Sequence, residues 1–157
     1  SDRWDPLTEL CLLYAARRDH WLKLIKPNLE QGIWVISDRF ADSSIVYQGY
    51  AGDIQLDTVL NIHNVVLGGV WPDLTIVLDL PPELGLERSN KRDTANNSKD
   101  TRFEKRELEF HKLLREGFQY LQSKSPDRIC VVDGTKTIEE VEVEVFSIIK
   151  KRFVGLM

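Results

Sequence analysis

Methionine is nearly missing from this 157-residue chain, and its one copy is the last residue, Met157. A chain that opens on Ser1 has either lost its initiator or lacks part of its N-terminus, and both explanations stand at this point. Cysteine is almost as scarce. Cys11 and Cys130 both sit in apolar runs, where a buried thiol is expected, and two cysteines cannot build a zinc site. Long apolar runs are absent as well: residues 65–71 are among the longest, far short of the roughly 20 needed to span a bilayer. The first residues do not read as a signal peptide, so a cytoplasmic protein without a membrane partner is expected. No repeat or low-complexity tract is visible.

What is present fits an ordinary globular domain. Apolar residues make up 42% and charged residues 29%, which excludes disordered and fibrous classes and suits one domain over residues 1–157. The formal net charge is -4, from 21 basic and 25 acidic residues, and this argues against a nucleic-acid partner. Charge is unevenly spread. Residues 88–106 hold seven basic side chains against three acidic ones, so an acidic chain carries one concentrated basic segment.

Periodicity and punctuation predict alternating helices and strands. Asp5 and Pro6 start a helix that runs to about residue 26, ahead of Pro27. Leu7, Leu10, Leu13, Tyr14, Trp21, Leu24 and Ile25 share its apolar face. Residues 33–36, 74–80 and 129–132 are short unbroken apolar runs that read as buried strands. Helices are expected near residues 42–48, 56–67, 82–88, 102–122 and 138–153, with a polar, mobile loop over 89–101. That order implies an α/β fold with parallel strands, whose ligand crevice lies beyond the strand carboxyl ends. Those ends carry Asp38 and Arg39, Asp79 and Leu80, and Asp133 and Gly134. Three strands make a thin sheet for this class, which again suggests a missing N-terminal part.

Several side chains stand out, each with a plainer reading beside the functional one. Arg17 falls on the apolar face of the first helix, where it must be paired or must point into a polar cavity. It is a ligand residue or a structural ion pair; Arg18 lies nearer the edge of the same arc, and a further reading is that one of the two arginines only snorkels or bridges to another subunit. Asp38 and Arg39 follow a strand directly: the arginine suits bidentate contact with phosphate, the aspartate accepts hydrogen bonds or approaches a metal through water, and a local salt bridge is the alternative. Ser44, Tyr47 and Gln48 share a helix face that reads a small polar ligand such as a nucleoside or is simply solvated. The basic segment is a solvated surface or a closing lid for phosphoryl transfer. His20, His63 and His111 have no metal spacing.

Six pieces in order resemble the thymidylate kinases, especially the bacterial branch, over nearly the whole chain. They are residues 13–17 (Leu-Tyr-Ala-Ala-Arg), 34–40 (Trp-Val-Ile-Ser-Asp-Arg-Phe), 43–49 (Ser-Ser-Ile-Val-Tyr-Gln-Gly), 72–80 (Pro-Asp-Leu-Thr-Ile-Val-Leu-Asp-Leu), 100–104 (Asp-Thr-Arg-Phe-Glu) and 132–135 (Val-Asp-Gly-Thr). The resemblance implies a three-layer P-loop nucleoside monophosphate kinase-like sheet with helices on both faces. It implies phosphorylation of dTMP to dTDP by ATP with Mg²⁺, in a homodimer packed through helices that include the first. Arg17 would contact the thymine ring, Ser44 the base edge, and Tyr47 and Gln48 the deoxyribose and base pocket, with Ser43 also among the substrate-binding residues. Arg39, beside Asp38, would meet the acceptor phosphate. Arg88, Lys91 and Arg92 would be lid cations on the phosphates, and Asp133, Gly134 and Thr135 would border the adenine of ATP.

Two departures from the family pattern follow. The family commonly stacks an aromatic residue on thymine four positions before the arginine; here Leu13 stands there, which implies aliphatic contact or stacking from Tyr14. No glycine opens a G-x-x-x-x-G-K-[ST] loop, so the N-terminal strand and phosphate loop are expected upstream and the chain by itself is expected to be inactive. The competing readings are a kinase of another deoxynucleotide or of a deoxynucleoside, and a non-catalytic nucleotide-binding module.

Overall fold

The computed structural model describes residues 4–92 and 101–154, with backbone alone for residues 89–92 and 101–106. Two compact units divide it, Ser1–Pro72 and Asp73–Met157.

The first unit is helical. Helix α1 (Pro6–His20) starts where Asp5 accepts the amides of Leu7 and Thr8, both at 3.1 Å, with Pro6 in the first turn. It passes without a break through a π-helical turn (Trp21–Ile25) into α2 (Lys26–Glu30). Pro27 therefore does not end the helix. A proline lacks the N–H of an α-helical bond, and the widened turn before it, in which the Lys26 amide reaches the Trp21 carbonyl, absorbs that loss. Helix α3 (Ala41–Ser44) likewise runs into a π-helical turn (Ile45–Tyr50), and α4 (Leu56–Leu67) ends on Gly68 in the left-handed region. Helix α1 packs on α4, and α4 on the second π-turn. Leu10, Tyr14, Ile25, Ile45, Val46, Val59 and Leu67 form the core, with His63 buried against Trp71 at 4.0 Å between ring centroids.

The expected apolar face of α1 is only partly covered: Leu10, Tyr14 and Ile25 are buried, but Leu7, Leu13 and Leu24 are exposed. Cys11 is exposed too, not buried as expected, and Cys130 is half-buried. Residues 33–36 do not form the third strand. Ile36 is 94% exposed, and the run joins neither of the two strands among the described residues. An apolar run encodes a demand for burial, but a strand exists only where a neighbour supplies the ladder.

The second unit holds that ladder. Strands β1 (Thr75–Asp79) and β2 (Ile129–Asp133) pair in parallel with Thr75 opposite Ile129 and Asp79 opposite Asp133. Helices α5 (Pro82–Arg92) and α6 (Thr101–Lys124) make the crossover, and α7 (Ile138–Arg152) follows β2 behind a capping box of Thr137 and Glu140. Both α6 and α7 pack on β2. Residues 89–92, expected in the polar loop, continue α5. Residues 93–100 of that loop lie outside the described residues. Among the described residues no helix is long and apolar enough to cross a membrane.

Candidate functional site

In the first unit, α1 and the α3 segment converge on Arg17. Its Nη1 donates to Ser44 Oγ at 3.1 Å, and its guanidinium carbon lies 4.7 Å from the Tyr14 ring centre and 5.7 Å from that of Phe40. Burial pushes this guanidinium below its ordinary value, while Tyr14 and the buried Asp42 pull the other way. Burial also pushes the Tyr14 phenol up to about 12, against the opposing pull of Arg17. A cation held over an aromatic face with one hydroxyl partner is a preorganised hydrogen-bond donor. Tyr14 is fully buried and presents no ring to a ligand. Of the two expected ways to meet a base, aliphatic contact from the 39% exposed Leu13 is the accessible one.

Arg39 closes the tight bend after residues 33–36. Its φ is +66°, a left-handed conformation that costs a residue with a Cβ about 1–2 kcal/mol, and Ser37 Oγ donates to its carbonyl at 2.9 Å. The exposed guanidinium leans on Tyr47, 4.7 Å from the ring centre, and its Nη2 donates to the phenol oxygen at 3.1 Å. Asp38 is exposed beside it, and Ser43 is half-buried within α3. Gln48 Nε2 donates to Glu9 Oε1 on α1 at 3.1 Å. The π-turn that carries Tyr47 and Gln48 is covered by Gly52, where a Cβ would come within 2.5 Å of the Gln48 carbonyl and 2.7 Å of the Tyr47 carbonyl. Only glycine lets the chain fold back this closely.

In the second unit, Asp79 and Asp133 end the paired strands side by side in register. Asp133 Oδ1 accepts from the Thr135 amide at 2.9 Å and from its hydroxyl at 2.6 Å. These bonds, the hydroxyl one first, hold the carboxyl below the usual aspartate range. The Gly134 amide donates to the Asp79 carbonyl at 2.7 Å, and Arg88 Nη1 donates to the Gly134 carbonyl at 2.9 Å. Arg115 binds the Asp79 carboxylate through Nε and Nη2, each at 2.7 Å.

The sequence reading chose Arg17, Ser44, Arg39, Tyr47 and Gln48, and the first unit pairs Arg17 with Ser44, Arg39 with Tyr47, and Gln48 with Glu9. Arg88, Asp133, Gly134 and Thr135 meet in the second. The side chains of Lys91 and Arg92 lie outside the described residues. Two residues were missed: Glu9, which looked like an ordinary first-turn acid, and Arg115, one charge among many on a long helix. Arg18 donates to the Val66 carbonyl on α4. Among the described residues no three His, Cys, Asp or Glu side chains gather as a metal cage. Asp38, next to Arg39, is exposed.

Comparison with known proteins bears on both units. A family model described as thymidylate kinase matches residues 1–145. The thymidylate kinase of Caulobacter vibrioides is 41% identical over 152 residues, covering 97% of this chain and 71% of the relative. That of Dinoroseobacter shibae is 47% identical over 147 residues, covering 93% and 68%. Among solved structures, the thymidylate kinase of Ehrlichia chaffeensis superimposes with a TM-score of 0.72 at 31% identity, covering 96% of this chain and 67% of that one. The α/β architecture is shared with that enzyme.

Proposed function

The chain belongs to the thymidylate kinase family, and from that premise we propose that Arg17, Ser44 and Gln48 read the thymine of dTMP while Arg39 takes its phosphate. The activity is phosphorylation of dTMP to dTDP by ATP. The observation that carries the assignment is the Arg17 guanidinium, wedged over Tyr14 and tied to Ser44, which offers directed N–H donors to a base carbonyl. Leu13 supplies aliphatic contact to the ring, and Tyr47 with Ser43 lines the sugar side.

The chemistry asks little of acid or base groups. A phosphate oxygen of dTMP attacks the γ-phosphorus of ATP in line as the bond to ADP breaks, so positioning and charge neutralisation dominate. Arg39 suits the acceptor end, because a guanidinium fork matches two phosphate oxygens. At the donor end, Asp133, Gly134 and Thr135 border the adenine. Arg88 steadies that loop through the Gly134 carbonyl, a bond that uses one of a guanidinium's five N–H groups, and joins Lys91 and Arg92 as cations for the phosphates. Mg²⁺ would supply charge neutralisation to the phosphates, and Asp38 is the carboxylate that would hold it, directly or through water. A homodimer through α1 and the π-turn that continues it is supported by the exposed Leu7, Leu12 and Leu22.

Titration calorimetry tests this reading. Arg39→Ala is expected to weaken dTMP binding at least about ten-fold and to leave thymidine, which has no phosphate, unchanged. Equal losses for both ligands, or a preference for dGMP over dTMP in the unmodified protein, overturn it.

A further inference from the structure

We infer that Glu9 is a specificity-determining positioning residue: it fixes which end of the Gln48 amide faces the base, and so selects thymine-type over cytosine-type rings. The inference rests on the reading above that Gln48 meets the base of the nucleotide. A glutamine side chain offers an acceptor at one end of its amide and two donors at the other, and the two ends have almost the same shape. Left alone, such an amide turns over to suit either kind of ring. A carboxylate accepts and cannot donate, so the contact between Gln48 Nε2 and Glu9 Oε1 at 3.1 Å is available to one orientation only. The NH₂ end faces α1, and the carbonyl oxygen is turned to the other side.

The chemistry of the bases then decides. Thymine and uracil carry an N–H at ring position 3, flanked by carbonyls, whereas cytosine has a bare nitrogen there beside an amino group. A Gln48 carbonyl accepts the ring N–H of the first kind and meets a lone pair of the second. Arg17, which has only donors to offer, reinforces the choice because it suits a ring carbonyl and repels an amino group. Ser44 and Gln48 are four positions apart on one continuous helical segment, so both recognition elements come from the same stretch of chain. Leaving a polar group of the site unpaired is what rejects the wrong ligand strongly.

The test compares dTMP and dCMP binding by titration calorimetry in the unmodified protein, Glu9→Ala, Glu9→Gln, Gln48→Ala and the Glu9→Ala/Gln48→Ala pair. Glu9 is exposed, and thermal melting checks that each variant folds. Glu9→Ala and Glu9→Gln are expected to reduce the dTMP-over-dCMP preference about ten-fold, and Glu9→Ala is expected to change nothing further once Gln48 is alanine. A Glu9 variant that weakens both nucleotides equally, or acts as strongly in the Gln48→Ala background, overturns the inference in favour of a structural carboxylate at the start of α1. If the unmodified protein shows no preference for dTMP, the base-reading assignment itself falls, which is a separate result.

Discussion

Arg115 and Asp79 are locked fork to fork, with two parallel bonds of 2.7 Å fastening α6 to the last residue of β1. The same Asp79 uses its carbonyl to accept the Gly134 amide, so one residue ties the crossover helix to the loop after β2. The bond to Asp79 raises the Arg115 guanidinium above its already high ordinary value, so it stays charged throughout the working range.

Arg115→Lys tests the value of the fork, because it keeps the charge and removes the paired geometry. The side chains are 38% and 22% exposed, which limits the effect to about 1 kcal/mol after screening. A fall in melting temperature of about 2–4 °C is expected for a chain of this size, and an unchanged melting point would show that the bond is decorative.

Tyr14 carries a fully buried phenol whose oxygen has no hydrogen-bond partner among the described residues. An unsatisfied buried hydroxyl costs about 1–3 kcal/mol, and removing it leaves the ring face under Arg17 intact. Tyr14→Phe is therefore expected to stabilise the protein by about 1 kcal/mol, read as a higher melting temperature, without weakening dTMP. Destabilisation would mean that the hydroxyl is satisfied in solution.

Gly52→Ala should do the reverse. The new Cβ would press on the Tyr47 and Gln48 carbonyls, which are backbone and cannot swing aside, so a loss of about 1–3 kcal/mol is expected. The displaced π-turn carries Gln48, and dTMP binding should weaken with it; thermal melting and calorimetry report the two effects.

Asp133 gives a pH signature. Its folded value is depressed, so it contributes stability that is present above the unfolded value near about 3.9 and lost as pH falls through the lower folded value. The Thr135 amide resonance, followed by NMR in acid, should titrate with a midpoint below the normal aspartate range, and Asp133→Asn should abolish that titration. A midpoint at or above the ordinary value would show that the turn does not favour the carboxylate.

Much of this was legible in the chain. Asp5 and Pro6, the glycines after Leu67, and the two paired strands came out within a residue or two, because caps, breakers and apolar runs are local chemistry. Arg17, Arg39 and the Ser44 face stood out because charge or polarity fell where burial or a strand end was expected. The path of the helix through Pro27 was not legible, since it depends on a widened turn that no single residue announces. Neither was Glu9, whose role exists only through Gln48, 39 residues later. The failed strand at residues 33–36 shows the same limit, because pairing is a property of two segments.

The left-handed backbone of Arg39 sets two demands on one position against each other. Glycine or asparagine would relax that bend, and neither carries the charged fork that matches two phosphate oxygens. Selection of variants for heat resistance alone should therefore accumulate replacements at this residue, and on the proposed reading of Arg39 each would be a sturdier protein that has surrendered its hold on the acceptor.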